Sequence, residues 1–233
     1  MPAHNEHELL AETVTAVVEG LRARAGEFEV LVIENGSVDG TYELAQELAA
    51  RFNELRVDTF PKADYGAALR QGLLTARGDA VVNFDVDYYD LEFLADAVGL
   101  VDSGGTDAPA IVVGSKRAPG ADDQRSLPRR FVTWGFTMLL RILFGLGVSD
   151  THGMKAMRRD AVEALARQCR FDADLFDTEL VIRAEHAGLV VTEIPVRVEE
   201  RRPSRTSIVR RASRSLWGLA RLRVVLWRER ASG

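Results

Sequence analysis

The chain has 233 residues, of which 46% are apolar, so it is long enough to bury one large core and too short to require two. A formal net charge of −5 argues against a protein whose whole surface binds nucleic acid, because such proteins present a basic face. Cys169 is the only cysteine, which excludes an internal disulfide and a cysteine zinc site. We therefore expect one domain in a reducing compartment.

The first two thirds of the chain alternate helical and strand patterns, which predicts an α/β fold with a mainly parallel sheet. In chain order the predicted elements are a helix at 6–24, a strand at 28–33, a helix at 41–52, a strand at 55–60, a helix at 66–76, a strand at 80–84, a helix at 92–101, a strand at 110–113, an apolar helix within 131–148, a helix at 176–187, a strand at 190–198 and a helix at 208–228. Domains of this kind normally begin with a strand. The chain starts at a turn, at 2–6, so we expect the first strand to lie upstream or to have been lost.

Two segments bear on membranes. The N-terminus has neither a basic start nor an apolar core, so no secretory signal is visible and a cytoplasmic location is expected. The apolar stretch 131–148 contains Arg141 and barely reaches the length that crosses a bilayer. It fits an amphipathic helix in the membrane interface or a buried core helix, and both stay open. After residue 197 the chain is rich in arginine, which suits phosphates or anionic lipid heads.

An acidic pair follows the strand predicted at 80–84. Asp85 and Asp87 are two residues apart, so both side chains can point to the same side of the chain. Open α/β sheets bind ligands at the carboxyl ends of their strands. Two carboxylates there, completed by substrate phosphates and water, are the oxygen ligands that Mg²⁺ or Mn²⁺ prefers. Alone the pair is weak evidence, because acidic residues often only solvate the end of a strand.

Seven short segments share their order and spacing with a known family. They are Pro-Ala-His-Asn-Glu at 2–6, Ile-Glu-Asn-Gly-Ser-Val-Asp-Gly-Thr at 33–41, Tyr-Gly-Ala-Ala-Leu-Arg-Gln-Gly at 65–72, Asp-Val-Asp at 85–87, Gly-Ser-Lys-Arg at 114–117, Ser-Asp-Thr-His-Gly-Met-Lys at 149–155 and Phe-Asp-Thr-Glu-Leu at 176–180. Together they resemble glycosyltransferase family 2, and the last three resemble its dolichyl-phosphate and polyprenyl-phosphate sugar synthases. The resemblance implies a GT-A (Rossmann-like) fold and an inverting transfer from a UDP- or GDP-sugar.

The resemblance also implies roles for particular residues. The nucleotide-binding set comprises Pro2, His4, Asn5, Glu6, Glu34, Asn35, Asp39 and Asp85. Asp85 and Asp87 take the metal role, with Mg²⁺ or Mn²⁺ as cofactor, and Asp87 also counts as catalytic. Residues of the first two segments equally suit a helix N-terminus and a turn, so purely structural roles stay open.

The acceptor decides the remaining roles. A lipid phosphate is already anionic at neutral pH, so it needs arginines to position it more than a base to activate it. We expect the acceptor to be bound by Arg117, Arg130, Asp150, Lys155 and Arg202. Arg117 is the first choice and also counts as catalytic, because it closes the Gly-Ser-Lys-Arg segment. A hydroxyl acceptor would need a carboxylate to take its proton, and Asp177 is the catalytic residue expected there.

The sequence departs from the family pattern at several positions. Glu34 and Asn35 stand where two aspartates are usual, Asp64 stands where glycine is common, and segment 149–155 is one residue shorter than Ser-Asp-Thr-Gln-Cys-Gly-Phe-Lys. Such changes put base selectivity and the geometry of the 149–155 segment in question.

The prediction for the whole chain is a GT-A catalytic domain at 1–199 and a basic amphipathic helical segment at 200–233, packed on the domain or on a membrane. We expect sugar transfer to a polyprenyl phosphate at the inner face of the plasma membrane, by a peripheral enzyme that does not bind nucleic acid. A family 2 enzyme with a hydroxyl acceptor, a catalytically inactive nucleotide-sugar-binding protein and a dimer formed through the terminal helix stay open.

Overall fold

The computed structural model describes residues 1–24, 26–105, 107–118, 120–123, 127–198 and 208–232. The strands are β1 (Pro2–Ala3), β2 (Val30–Asn35), β3 (Leu55–Phe60), β4 (Ala80–Asn83), β5 (Ile111–Ser115), β6 (Asp122–Asp123), β7 (Lys155–Arg158), β8 (Val191–Pro195) and β9 (Arg197–Val198). The helices are α1 (His7–Arg22), α2 (Thr41–Arg51), α3 (Tyr65–Thr75), α4 (Leu91–Val101), α5 (Leu127–Phe144), α6 (Arg159–Gln168), α7 (Phe176–His186) and α8 (Ile208–Ser232). A single 3₁₀ turn at Ala173–Leu175 precedes α7.

The strands form two main sheets. One is parallel, in the order β1-β2-β3, and the other has the order β4-β7-β5-β8. In the second sheet β5 and β8 are parallel, while β7 is antiparallel to both β4 and β5. The strands β6 and β9 make a separate short parallel pair. The α/β class is confirmed, and the sheet is mainly parallel except at β7.

The first strand is present, so the expectation that it is missing is wrong. Pro2 pairs with Ile33 and Ala3 pairs with Glu34 in parallel register. Two residues are too few to show the alternating pattern that identifies a strand, and the pairing with β2 is what defines this one.

The segment from Lys155 to Gln168 holds two elements that the sequence did not predict. β7 has only four residues, and Lys155 and Arg158 at its ends hide its strand character. It forms because β4 and β5 accept it from both sides. The helix α6 buries mainly Val162 and Ala166, a stripe too small to identify by spacing alone.

The core has two clusters. The first contains the predicted apolar stripe of α1, including Leu10, Val14 and Val17, packed against β2 and α4. The second joins α3, α5, α6 and α7. It also contains residues of α8, namely Leu219, Leu222 and Leu226. The terminal helix therefore packs on the domain, which was one of its two predicted settings.

The apolar stretch after residue 127 forms α5, which is amphipathic. Leu140 and Phe144 are buried, whereas Phe131 and Ile142 are exposed. The helix is thus a core helix on one side and an open apolar surface on the other. In the part of the chain that the structure describes, no helix combines the length and apolar character needed to cross a bilayer.

Candidate active site

A cleft of about 400 Å³ opens at the carboxyl ends of β1 and β2, beside the turn that follows β4. Its volume lies in the range typical of small-molecule sites. Six of its lining residues were predicted from the sequence, namely Pro2, His4, Glu6, Asn35, Asp85 and Asp87. Five others were not, namely Ala63, Asp64, Tyr65, Val86 and Ala173. Five separate segments of the chain therefore meet at this cleft.

The acidic pair faces the cleft because of the turn that carries it. Val86 points into the core and is buried, and its carbonyl oxygen accepts a 2.7 Å hydrogen bond from the Thr13 hydroxyl. Asp85 and Tyr88 exchange backbone hydrogen bonds of 3.1 and 3.2 Å, which close the turn. Since side chains alternate along an extended segment, Asp85 and Asp87 both point away from Val86 and line the cleft.

The Asp85 carboxyl interacts with two neighbouring carboxylates and one hydroxyl. Burial raises the pKa of the Asp85 carboxyl, a hydrogen bond from the Tyr65 hydroxyl lowers it, and the neighbouring Asp87 and Asp177 raise it further. The Tyr65 oxygen lies 2.7 Å from Asp85 Oδ1. Burial and the same carboxylates hold the pKa of Tyr65 well above its usual value, so this hydroxyl stays a hydrogen-bond donor at neutral pH.

The donor set fits a hard divalent cation. Within the described ranges no group of three or more His, Cys, Asp or Glu side chains converges on one point, so a cation held by the acidic pair would take two carboxylates from those ranges. Mg²⁺ and Mn²⁺ are commonly held in this way, with phosphate oxygens and water filling the other positions. A cation between Asp85 and Asp87 would also offset the repulsion that raises the pKa of Asp85. The two residues predicted to hold a metal are therefore suitably placed.

On the other side of the cleft, the loops after β1 and β2 are joined to each other. His4 Nδ1 lies 2.8 Å from the carbonyl oxygen of Asn35, which makes a hydrogen bond when Nδ1 carries the proton. The backbone nitrogen of Asn5 donates to the Ser37 hydroxyl, and Asn5 Oδ1 accepts from the backbone of Val38, both at 2.9 Å. Asn5 thus holds the two loops together and does not line the cleft.

Glu34 and Asp39 have internal partners as well. Glu34 is buried and accepts a 2.5 Å hydrogen bond from the Ser37 backbone. Asp39 accepts from the backbone nitrogens of Thr41 and His7 and so stabilises the start of two helices. Neither residue lines the cleft. These contacts correspond to the turn and helix-start roles that the sequence left open.

Asn35 differs from its neighbours. Its Oδ1 atom is buried and accepts no hydrogen bond in the described part of the chain, although the residue lines the cleft. Leaving a buried acceptor unsatisfied costs about 1–3 kcal/mol, so a ligand that donates to it is favoured. The Asn35 amide is thus the group on the β2 side best suited to a nucleotide.

Ala173 lines the cleft and belongs to the loop 169–175, here called the wall loop. Asp64 caps α3 by accepting from Ala67 N at 3.0 Å, and it also accepts from Ala173 N at 2.7 Å. A Cβ atom on Gly66 would lie only 2.3 Å from the Ala173 carbonyl oxygen. The start of α3 therefore packs directly on the wall loop, and only glycine permits that approach.

The residues predicted for the acceptor side are mostly engaged inside the protein. Lys155 is fully buried; its Nζ atom lies 3.1 Å from Asp177 Oδ1 and donates to the carbonyl oxygen of Gly153. Asp150 Oδ1 accepts from the backbone nitrogen of His152, which is a loop-capping contact. Lys155, Asp177 and Asp150 do not line the cleft, although Asp177 is near enough to raise the pKa of Asp85.

Arginines are absent from the described lining of the cleft. Arg117 and Arg130 are both exposed, and the backbone nitrogen of Arg117 donates to the Ser115 hydroxyl. Arg202 lies outside the described residues. The acceptor-binding role of all three stays a prediction.

The residues that sequence reasoning missed come from segments with other assignments. Asp64 was noted only as a departure from glycine, and Tyr65 only as the start of a motif. His152 lies outside the cleft lining, half-buried beside Thr178 and Phe136, and burial lowers its pKa. It stands where the family pattern has glutamine, which was the available signal.

Comparison with known proteins gives the family. The model of glycosyl transferase family 2 matches residues 1–166, which is more than half of the chain. The chain belongs to glycosyltransferase family 2. The matched segment contains every described cleft residue except Ala173.

Curated members of this family are similar over most of the chain. The glycosyltransferase AglD of Haloferax volcanii is 34% identical over 215 residues, which cover 90% of this chain and 34% of that protein. The dolichyl-phosphate beta-glucosyltransferase ALG5C of Trichomonas vaginalis is 30% identical over 216 residues, covering 86% of this chain and 63% of that protein. The chain thus spans about a third of the first relative and less than two thirds of the second.

Solved structures share the fold. Glucosyl-3-phosphoglycerate synthase from Mycobacterium tuberculosis, in complex with Mn²⁺, UDP and glucosyl-3-phosphoglycerate, superposes with a TM-score of 0.67 at 21% identity. The match covers 95% of this chain and 77% of that one. This likeness confirms the predicted GT-A fold.

Proposed function

We propose that this family 2 protein transfers a sugar, with inversion, from a UDP- or GDP-sugar to a polyprenyl phosphate, and that it requires Mg²⁺ or Mn²⁺. One observation carries the proposal: Asp85 and Asp87 line the same nucleotide-sized cleft, where Asp87 and Asp177 raise the pKa of Asp85 by repulsion that a bound cation would offset. The solved relative with Mn²⁺ and UDP supports such a cofactor and such a donor.

Each side of the cleft has a separate task in this proposal. Asp85 and Asp87 hold the cation, which when bound would neutralise charge on the departing diphosphate. Tyr65 fixes the orientation of Asp85 through its 2.7 Å hydrogen bond. The buried Asn35 amide binds the nucleotide, because its free Oδ1 can accept from a base or a ribose hydroxyl. His4 braces that loop from the β1 side.

The acceptor is assigned from chemistry and from the relatives. Curated relatives are named as dolichyl-phosphate beta-glucosyltransferases, which supports a lipid phosphate acceptor here. Such an acceptor carries its own negative charge, so it needs positioning more than proton removal. Asp177 supports this reading, because its carboxylate pairs with the buried Lys155 and does not line the cleft. With a lipid acceptor, the proposal includes a peripheral position at the inner face of the plasma membrane.

The test is transfer of label from UDP-glucose, UDP-N-acetylhexosamine or GDP-mannose into an organic-extractable product, with a polyprenyl phosphate as acceptor. We expect EDTA to abolish transfer and Mn²⁺ or Mg²⁺ to restore it. Asp87→Asn should lower the rate by roughly a hundredfold or more, because a metal ligand supports several kcal/mol of transition-state stabilisation. The control is Asp96→Asn, which changes an exposed carboxylate on α4 and should leave the rate unchanged.

Three outcomes would overturn the proposal. Full activity of Asp87→Asn in the presence of EDTA would show that transfer does not require a metal. Transfer confined to a water-soluble sugar, and lost in Asp177→Asn, would establish the hydroxyl-acceptor enzyme. Tight UDP or GDP binding by calorimetry, with no turnover on any lipid phosphate, would establish a nucleotide-sugar-binding protein without catalysis.

A further inference from the structure

The terminal helix α8 has an apolar surface on the side that faces away from the domain. Its inward side buries Leu219, Leu222 and Leu226 in the second core cluster. At 100° per residue, the opposite side carries Leu216, Trp217, Ala220, Val224, Trp227 and Ala231, all of them exposed. The exposed fractions of Trp217 and Trp227 are 66% and 61%. We call this surface the outer face of α8.

Arginines border the outer face on both sides. Arg221 and Arg228 lie along one edge, and Arg223 and Arg230 lie along the other, all of them exposed. The guanidinium of Arg221 lies 4.9 Å from the centre of the Trp217 ring. An apolar strip with tryptophans and flanking cations is the pattern of a helix that lies in a membrane interface.

Acidic charge on this part of the helix is turned inward. Glu229 is the only acidic residue between positions 216 and 231. Its carboxylate contacts Arg183 of α7 at 2.9 Å, on the side that packs on the domain. The outer face is therefore complementary to an anionic partner and not to a cationic one.

A second copy of this chain is a poorer partner for the same surface. In a two-fold dimer each outer face would meet an identical one, and arginines along both edges would approach arginines of the other copy. Like charges brought together at an interface are destabilising. Lipid phosphates lying on both sides of the strip would instead pair with all four arginines, while the indole rings enter the region below the head groups.

The helix is also next to the cleft. Its backbone at Gly218 lies so near to the wall loop that a Cβ atom there would be 2.1 Å from Leu175 Cδ1. Arg221 further lies 5.5 Å from the ring of Phe171 in the same loop. A surface bound to the outer face would therefore lie one helix diameter from the loop that forms the cleft wall.

We propose that the outer face of α8 is the surface by which this protein docks on an anionic phospholipid bilayer. The inference deepens the proposed function, since it rests on an acceptor that stays in the membrane. In this proposal the buried side of α8 packs on the domain, and its exposed side contacts lipid.

Docking is measured by cosedimentation of the full chain with vesicles, without any donor or acceptor. We expect binding to vesicles of phosphatidylcholine mixed with phosphatidylglycerol, and weaker binding to phosphatidylcholine alone. The double variant Trp217→Ser and Trp227→Ser should lose at least about tenfold in binding, because both indoles leave the interface. Arg223→Gln with Arg230→Gln should lose roughly fivefold for each arginine on the anionic vesicles only.

The control is Leu100→Ser, which removes an exposed apolar side chain from α4 and should bind as the wild type does. Thermal melting confirms that each variant is folded. Unchanged binding of the tryptophan variant, or no binding by the wild type, would overturn the proposal. The proposal would also be overturned if light scattering showed a dimer for the wild type and a monomer for the tryptophan variant, with no vesicle binding by either protein.

Transfer assays separate this proposal from the proposed function. Absence of vesicle binding by the wild type, together with full transfer to a detergent-dispersed prenyl phosphate, overturns docking alone. Tryptophan-dependent binding to vesicles without transfer to any lipid phosphate overturns the proposed function and leaves docking supported.

Discussion

At the residue scale, the site depends on how the half-buried Asp85 carboxylate is oriented toward the cleft. Asp85 has two carboxylates nearby that disfavour its charge and one hydroxyl, that of Tyr65, that donates to it. Burial and repulsion both disfavour the negative charge of Asp85. Removing the Tyr65 hydroxyl would remove the hydrogen bond that opposes them. The tyrosine is therefore a positioning residue for the proposed metal site.

Tyr65→Phe should weaken Mn²⁺-dependent UDP binding by roughly 10- to 100-fold, the usual effect of losing a partner that orients a metal ligand. It should also raise the pKa of Asp85 further. Because only the ionised carboxylate binds a cation, affinity is lost as pH falls through that pKa, and in the variant this loss begins at a higher pH. Calorimetric titrations between acid and neutral pH measure both effects. Tyr42→Phe, on the exposed side of α2, should behave as the wild type.

Part of the site could be predicted from the sequence, because those residues lie next to recognisable strands in the chain. Asp85 and Asp87 follow a recognisable strand, and residues of the 2–6 segment follow β1, so order along the chain placed them at one edge. Tyr65, Asp64 and Ala173 could not be found in this way. They reach the cleft because α3 packs on the wall loop, which is a contact between segments more than a hundred residues apart in the chain.

At the element scale, helices and strands with a clear period were predicted and β7 was not. α1 shows its apolar stripe at intervals of three and four residues, and its predicted span differs from His7–Arg22 by one or two residues at each end. β7 has no such period, and its buried Lys155 contradicts the usual rule that lysine is exposed. Its strand form depends on two neighbours that exist only after folding.

The packing of α3 on the wall loop gives a test at this scale. Gly66→Ala should destabilise the protein by about 1–3 kcal/mol, because its Cβ would meet backbone atoms of Ala173 that cannot move without the loop. Nucleotide binding should weaken in parallel, since the displaced loop forms a cleft wall. Gly99→Ala is the matched control in α4, where nothing lies within 4 Å of the new Cβ. It should be neutral or stabilise by roughly 0.5–1 kcal/mol. Urea unfolding measures the stability of the two variants, and equal unfolding midpoints would contradict the proposed contact.

At the scale of the whole molecule, the open matter is whether α8 belongs to the catalytic domain or is a separable segment, as the proposed division at residue 199 implies. The contacts favour one cooperative unit. Arg183 of α7 is buried between Glu179 and Glu229, and the last of these lies on α8. Glu179 in turn accepts from the backbone of Phe171 in the wall loop at 2.9 Å. Helix, core and cleft wall are thus linked through one ionic network.

Leu222→Ala decides between these arrangements. The side chain of Leu222 is fully buried in the second core cluster, so its truncation should cost about 2–5 kcal/mol and lower the midpoint of a single unfolding transition. Val224→Ala, on the outer face of the same helix, should change stability by less than about 0.5 kcal/mol. Circular dichroism and intrinsic tryptophan fluorescence would follow the transition together. If α8 were separable, Leu222→Ala would instead release the helix in an early step and leave the main midpoint unchanged, because the rest of the core would not sense the loss.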